Sequence, residues 1–177
     1  MQCMFHCANG CQPVNARAGA MTTPRWLVLT WRLTAASSTP RVATWRNLQR
    51  LGAVTLTPGA VVVPYSEHLL EQLEWIAEDI VQRGGDAYVL PVTELRETDE
   101  QEIRRRIRKE SNEEYDHLQQ AAEDLARRPP TRTRFERELA VLQRGLGRAV
   151  ERDHLGSTRR IAAERAIKLA RQRHEHD

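Results

Sequence analysis

The stretch Trp26-Leu-Val-Leu-Thr-Trp-Arg-Leu-Thr-Ala-Ala-Ser-Ser-Thr-Pro-Arg-Val-Ala-Thr-Trp-Arg46 decides how the chain is read. Its first third alternates. Trp26, Val28 and Thr30 fall on one side, and Leu27, Leu29 and Trp31 on the other, as a strand of period two requires. Both sides are largely apolar, so the strand belongs in the middle of a sheet, covered on both faces. Ala35–Thr39 reads as a turn. Pro40 suits the first position of a helix, where its missing N–H leaves nothing unsatisfied, and Ser38 or Thr39 supplies the N-cap. That helix is expected to run to about Leu51 and stop at Gly52. Val42, Trp45, Leu48 and Leu51 form its apolar stripe, with Arg41, Arg46 and Arg50 off it.

Working outward, residues 53–57 read as a second strand, Pro58-Gly59 as a turn and residues 60–65 as a third strand, together a hairpin. Ser66 caps a helix to about Arg83, with Leu69, Leu73, Ile76 and Ile80 as its core face and Leu70, Ala77 and Val81 beside them. Gly84-Gly85 ends it. Residues 87–92 are a fourth strand, in which Pro91 suits an edge. The order β-α-β-β-α-β predicts an α+β, ferredoxin-like sheet with two helices on one face. The other face needs cover.

Residues 96–177 can supply it. Thr98 to Gln101 is a capping-box start. The helix it opens carries Ile103, Ile107, Tyr115, Leu118, Ala122 and Leu125, and Pro129-Pro130 breaks it. A second helix, with Phe135, Leu139, Leu142 and Leu146, runs to about Arg152 and pairs with the first as an antiparallel hairpin. Ser157 or Thr158 opens a further helix with Ile161, Ile167 and Leu169. The expected organisation is a disordered leader at 1–20, a ferredoxin-like domain at 21–95 and a helical extension packed on it at 96–177.

The net charge of +3 is too small to argue for nucleic acid by itself. Its distribution says more. Residues 1–66 contain Arg17, Arg25, Arg32, Arg41, Arg46 and Arg50 and no acid, and the sign then reverses at Glu67, Glu71, Glu74, Glu78 and Asp79. Two readings stand: a pair of solvated helix faces, or a basic patch for an oxyanion or a phosphate backbone. The run Arg104 to Lys109 invites a nucleic-acid reading. However, Glu100–Arg104, Glu102–Arg106 and Lys109–Glu113 are spaced as i,i+4 pairs, which favours a salt-bridged solvent face. Cys3, Cys7 and Cys11 with His6 do not form the paired loops of a zinc site. The leader lacks the apolar core of a signal peptide, and Met21 is a credible alternative start. With no cysteine after residue 11 the folded part has no disulfide, which fits a cytoplasmic protein. No apolar run reaches the ~20 residues of a membrane helix.

No phosphate-binding glycine loop and no nucleophile motif occurs. His68, His117 and His154 stand alone, and His174 and His176 lie at the chain end. No enzyme, cofactor or metal is therefore expected. The best physical site is the start of the 40–51 helix. Ser37, Ser38 and Thr39 offer hydroxyls, free backbone N–H groups favour an anion, and Arg41 and Arg32 lie nearby. Such a pocket would suit a tetrahedral dianion such as chromate, sulfate or phosphate. The alternative is ordinary capping beside two surface arginines.

Residues 26–33, 37–46, 51–59 and 85–91 resemble the N-terminal domain of ChrB, a family found with bacterial chromate-resistance determinants, and Arg152-Asp-His-Leu-Gly-Ser157 resembles it too. The resemblance spans roughly residues 24–170. More distantly, the first half resembles the central ferredoxin-like domain of PaaX-type repressors. The resemblance implies a chromate-responsive regulator of an efflux operon, without enzyme chemistry. Its expected partners are operator DNA, met by Arg41, Arg46 and Arg50, chromate or a similar oxyanion, and a second copy as a homodimer, with no membrane. ChrB proteins also carry a C-terminal domain that this chain ends without. The other expectation is therefore a non-catalytic dimerisation or adaptor module acting with a separate C-terminal ChrB-like partner.

Overall fold

The strand at the head of the quoted stretch sits at the centre of the molecule. In the computed structural model, which describes residues 23–33, 38–127 and 131–176, β1 (Trp26–Arg32) lies between β3 (Ala60–Pro64) and β4 (Asp86–Val92), and β2 (Val54–Thr57) flanks β3. Every neighbouring pair is antiparallel, with Leu27 opposite Val63 on one side and Pro91 on the other. Helix α1 (Ser38–Arg50) joins β1 to β2 and α2 (Glu67–Gln82) joins β3 to β4. This is the ferredoxin-like α+β order that the sequence predicts. The leader and the Pro129-Pro130 break lie outside the described residues.

Two local features hold the register. Trp31 N donates to Gly59 O at 2.7 Å, closing the β2–β3 turn against β1. Gly59 has φ +87, and a Cβ there would lie 2.5 Å from the Trp31 carbonyl oxygen, so only glycine fits. On β4, Val92 O accepts from Arg25 N at 2.9 Å. Alternate residues of β4 therefore turn their backbone to β1, and Pro91 turns its donor-free nitrogen to the open edge.

The sheet buries both faces. Leu27, Leu29, Val61 and Val63 meet Leu48 of α1 and Leu69 and Leu73 of α2. Trp26, Val54 and Val62 meet Ile103 and Ile107 of α3 (Glu97–Arg127). Each fully buried leucine or valine contributes about 1.5–3 kcal/mol. α2 starts as predicted, with Ser66 Oγ accepting from Leu69 N at 3.1 Å, although Val81 faces solvent.

Helix α1 departs from expectation in two ways. It begins at Ser38, so Pro40 stands within the first turn rather than at its first position, where its N–H would still have no helical partner. Its buried residues are Thr44 and Leu48, while Val42 is 43% and Trp45 50% exposed. A stripe repeating every third residue lags a 3.6-residue helix by about 60° per step, so Val42 and Leu51 point opposite ways.

α3 starts two residues ahead of the expected cap: Arg96 O already accepts from Asp99 N and Glu100 N. It forms a bundle with α4 (Arg132–Arg152) and α5 (Arg160–His176), around Ala122, Leu125, Phe135, Leu142, Ala166 and Ile167. On α5 the expected apolar residues Ile161 and Leu169 are exposed, and Ala163, Ala166, Ile167 and Ala170 are buried. Small alanines let α5 lie close to its neighbours. Among the described residues no helix is long and apolar enough to cross a membrane.

Candidate functional site

At the start of α1 the two arginines that the sequence points to make different contacts. The Arg32 side chain turns to Asp86 on β4, with contacts of 2.8 and 3.3 Å. Both partners are more than half exposed, so the pair adds little stability. Arg41 Nη2 donates to Leu33 O at 3.1 Å. It borders a groove of about 340 Å³ that Trp31, Val42, Trp45, Pro58 and Val61 make apolar. The two arginines thus serve different neighbours. Ser37 lies outside the described residues, as do the side chains of Ser38 and Thr39. Arg50 Nη1 donates to Asn47 Oδ1 at 3.2 Å. Arg46 is exposed and makes no ion pair with a described residue.

Three of the five cations in the Arg104–Lys109 run form ion pairs. Arg104 and Arg25 share Glu100, and Lys109 lies 3.7 Å from Glu113. One expected pair is replaced. Glu102 holds Arg105 at 2.8 Å, and Arg106 Nη2 reaches Thr55 O at 2.5 Å, tying α3 to β2.

Sequence reasoning missed the cations of α4 and α5. Arg137, Arg144 and Arg148 recur at i, i+7 and i+11 on the exposed side of α4, and Arg165 and Lys168 at i, i+3 on that of α5. None of the five pairs with a described acid. By contrast, Arg132–Glu136, Arg134–Glu138 and Arg160–Glu164 are closed on the same helices. The signal was present: Arg137, Arg144 and Arg165 have no acid three or four residues away. The charge count over the whole region hid it.

The turn between α4 and α5 joins the bundle to the sheet domain. Tyr115 OH donates to Asp153 Oδ2 at 3.3 Å, and the same oxygen accepts from Ser157 N at 2.7 Å. Ser157 Oγ donates to Asn112 Oδ1 at 2.6 Å. His154 Nε2 donates to Leu51 O at 2.7 Å, since a carbonyl can only accept. Gly52, with φ +68, lets that turn approach: a Cβ there would lie 2.9 Å from Arg152 O. Leu155 packs beside Trp26 and Ile103. Arg152 pairs with Glu114 and borders a cleft of about 250 Å³, in which burial pushes the Glu110 carboxyl above its ordinary value.

Tyr115 is fully buried. Burial first, then the Asp153 charge and hydrogen bond, push its phenol up to about 12. A raised folded pKa means that the unfolded chain releases this proton first. Stability is therefore whole below the ordinary value near 10 and falls as pH climbs from there toward 12, by about 3 kcal/mol in all. Tyr115→Phe should remove that component. Urea denaturation of the two proteins at pH 9 and pH 11 reads it as a difference of differences, and equal pH dependence would refute the assignment.

With this geometry in place, the chain can be set beside known proteins. Residues 41–128, from the first turn of α1 to just past the end of α3, match the family described as Protein ChrB, N-terminal. The chain resembles the ChrB N-terminal family over this segment. Protein ChrB of Cupriavidus metallidurans is 33% identical over 79 residues, which make up 45% of this chain and 24% of that protein. The similarity thus spans about a quarter of the relative's length. No solved structure matches. The matched segment of the ChrB N-terminal family takes in three strands of the sheet, both of its helices and the helix that covers its second face; β1, α4 and α5 lie outside it.

Proposed function

We propose that this chain is a regulatory module of chromate resistance, one that binds operator DNA in the cytoplasm and carries out no chemical step. Similarity to the ChrB N-terminal family over residues 41–128 supports the setting. One observation supports the mode of action: Arg137, Arg144, Arg148, Arg165 and Lys168 stand exposed and make no ion pair with a described residue, on the two helices where Arg132–Glu136, Arg134–Glu138 and Arg160–Glu164 are closed. Phosphates attract such cations and release counterions as they bind. The proposal moves the DNA surface away from Arg41, Arg46 and Arg50. Arg41 is turned to Leu33 O, and the acids of α2 stand beside α1 and would repel a phosphate backbone. Affinity for a duplex of the chromate-operon promoter should fall roughly hundredfold or more between 50 and 200 mM salt, read by fluorescence anisotropy. No binding at low salt would sink the proposal.

The oxyanion is assigned to the first turn of α1, where helical N–H groups have no partner within the helix and Arg41 can swing from Leu33 O onto the ligand. Calorimetry should give heat with chromate on the wild type and a response weakened at least roughly tenfold in Arg41→Ala, the loss of one charge-assisted hydrogen bond. No heat from either protein would remove the oxyanion part and leave the DNA part standing.

A further inference from the structure

Helices α1 and α2 lie side by side on one face of the sheet and are segregated by charge. The α1 segment, STPRVATWRNLQR, contains no acid. The α2 segment, EHLLEQLEWIAEDIVQ, contains no lysine or arginine. Opposite charges on neighbouring helices would be expected to pair within the protomer, yet no ion pair joins α1 to α2 among the described residues. Arg46 and Arg50 of α1 point away from Leu48, on the solvent side, and Glu71 and Glu78 of α2 point away from Leu73. Between those two glutamates, on the same outer stripe, stands Trp75, which is 67% exposed. Tryptophan and arginine are the side chains most enriched where proteins meet, and acids are depleted unless matched.

This pattern is complementary to itself. A two-fold axis running between α1 and α2, parallel to them, sets α1 of one protomer over α2 of its partner, twice. Arg46 and Arg50 then face the acids of the opposite helix at both ends. Trp75, on the same acidic stripe, offers its ring to a guanidinium of the opposite α1. We infer that the outer face of the α1/α2 layer is the docking surface for a second copy of this chain. The inference goes beyond the DNA reading and stands without it, because α4 and α5 lie elsewhere on the molecule.

Charge reversal gives a decisive experiment on the full chain. Light scattering and sedimentation equilibrium should find a dimer in the wild type. Arg46→Glu with Arg50→Glu leaves two acidic helices, and Glu71→Arg with Glu78→Arg leaves two basic ones. Each variant alone should dissociate roughly a hundredfold more readily, because like charges then face each other. An equimolar mixture should recover the dimer, since each reversed helix meets its opposite in the other variant. All four positions are exposed, and circular dichroism checks that both variants stay folded. A monomeric wild type, a dimer indifferent to either reversal, or a mixture that stays monomeric overturns the inference. Failure of DNA binding would leave every one of these outcomes unchanged.

Discussion

Arg144→Ala combined with Arg148→Ala is expected to lower affinity for duplex DNA roughly fiftyfold near 0.1 M salt and to flatten the salt dependence by about two units of log–log slope. The figure follows from counting ions. Each cation that neutralises a phosphate contributes about 0.9 to the slope, and two such contacts are removed together. The two side chains lie one turn apart on the exposed side of α4, each more than one turn from Phe135. The fold should therefore be untouched, and the melting curve serves as the control. Arg46→Ala is the counter-experiment. If it flattens the slope and the α4 pair does not, DNA lies on α1 and the assignment to the bundle is wrong.

Trp26→Ala is expected to lose about 3–5 kcal/mol of stability. That is a large share of the roughly 5–15 kcal/mol that holds a domain together. Trp26 is 1% exposed and fills the second face of the sheet among Val54, Val62, Ile103 and Ile107. Arg104 lies over its ring at 5.3 Å. Removing the indole opens a cavity where α3 meets the sheet, so it weakens the joint between the two halves as well as the core. Trp26→Phe should cost far less. It keeps most of the apolar contact and removes a buried indole N–H that has no hydrogen-bond partner. Urea denaturation followed by circular dichroism separates the two variants, and equal losses would show that bulk at position 26 does not matter.

The sheet was legible because its signals are local. Alternation along 26–32, a Pro-Gly turn and a serine cap each act within a few residues, and they agree with one another. The rotation of α1 was not legible. Val42, Trp45, Leu48 and Leu51 look like one stripe until the helix's 3.6-residue period is applied, and then half of them turn outward. The core of α5 hid for another reason: its buried residues are mostly alanines, which carry little hydrophobic signal beside Ile161 and Leu169. At the candidate site, the sequence placed Arg32 and Arg41 close along the chain, but the fold sends one to β4 and the other over the α1 groove. The open cations of α4 and α5 were legible only residue by residue, in the missing acids three and four positions from Arg137, Arg144 and Arg165, and a charge count over the whole region averages that away.

One consequence follows from the length of α3. It is a single helix of 31 residues, about 46 Å of rod. Ile103 and Ile107 are pressed on the sheet, and Ala122 and Leu125 lie inside the bundle. Rods carry displacement as levers do. A tilt of about 10° where Ile103 meets the sheet would carry Leu125 through roughly 6 Å at the far end. The pivot is braced by Arg106 on Thr55 O and by His154 on Leu51 O, and the second of these grips the chain just past the end of α1. A shift of the chain at Leu51 would therefore bear on the bundle through that hydrogen bond.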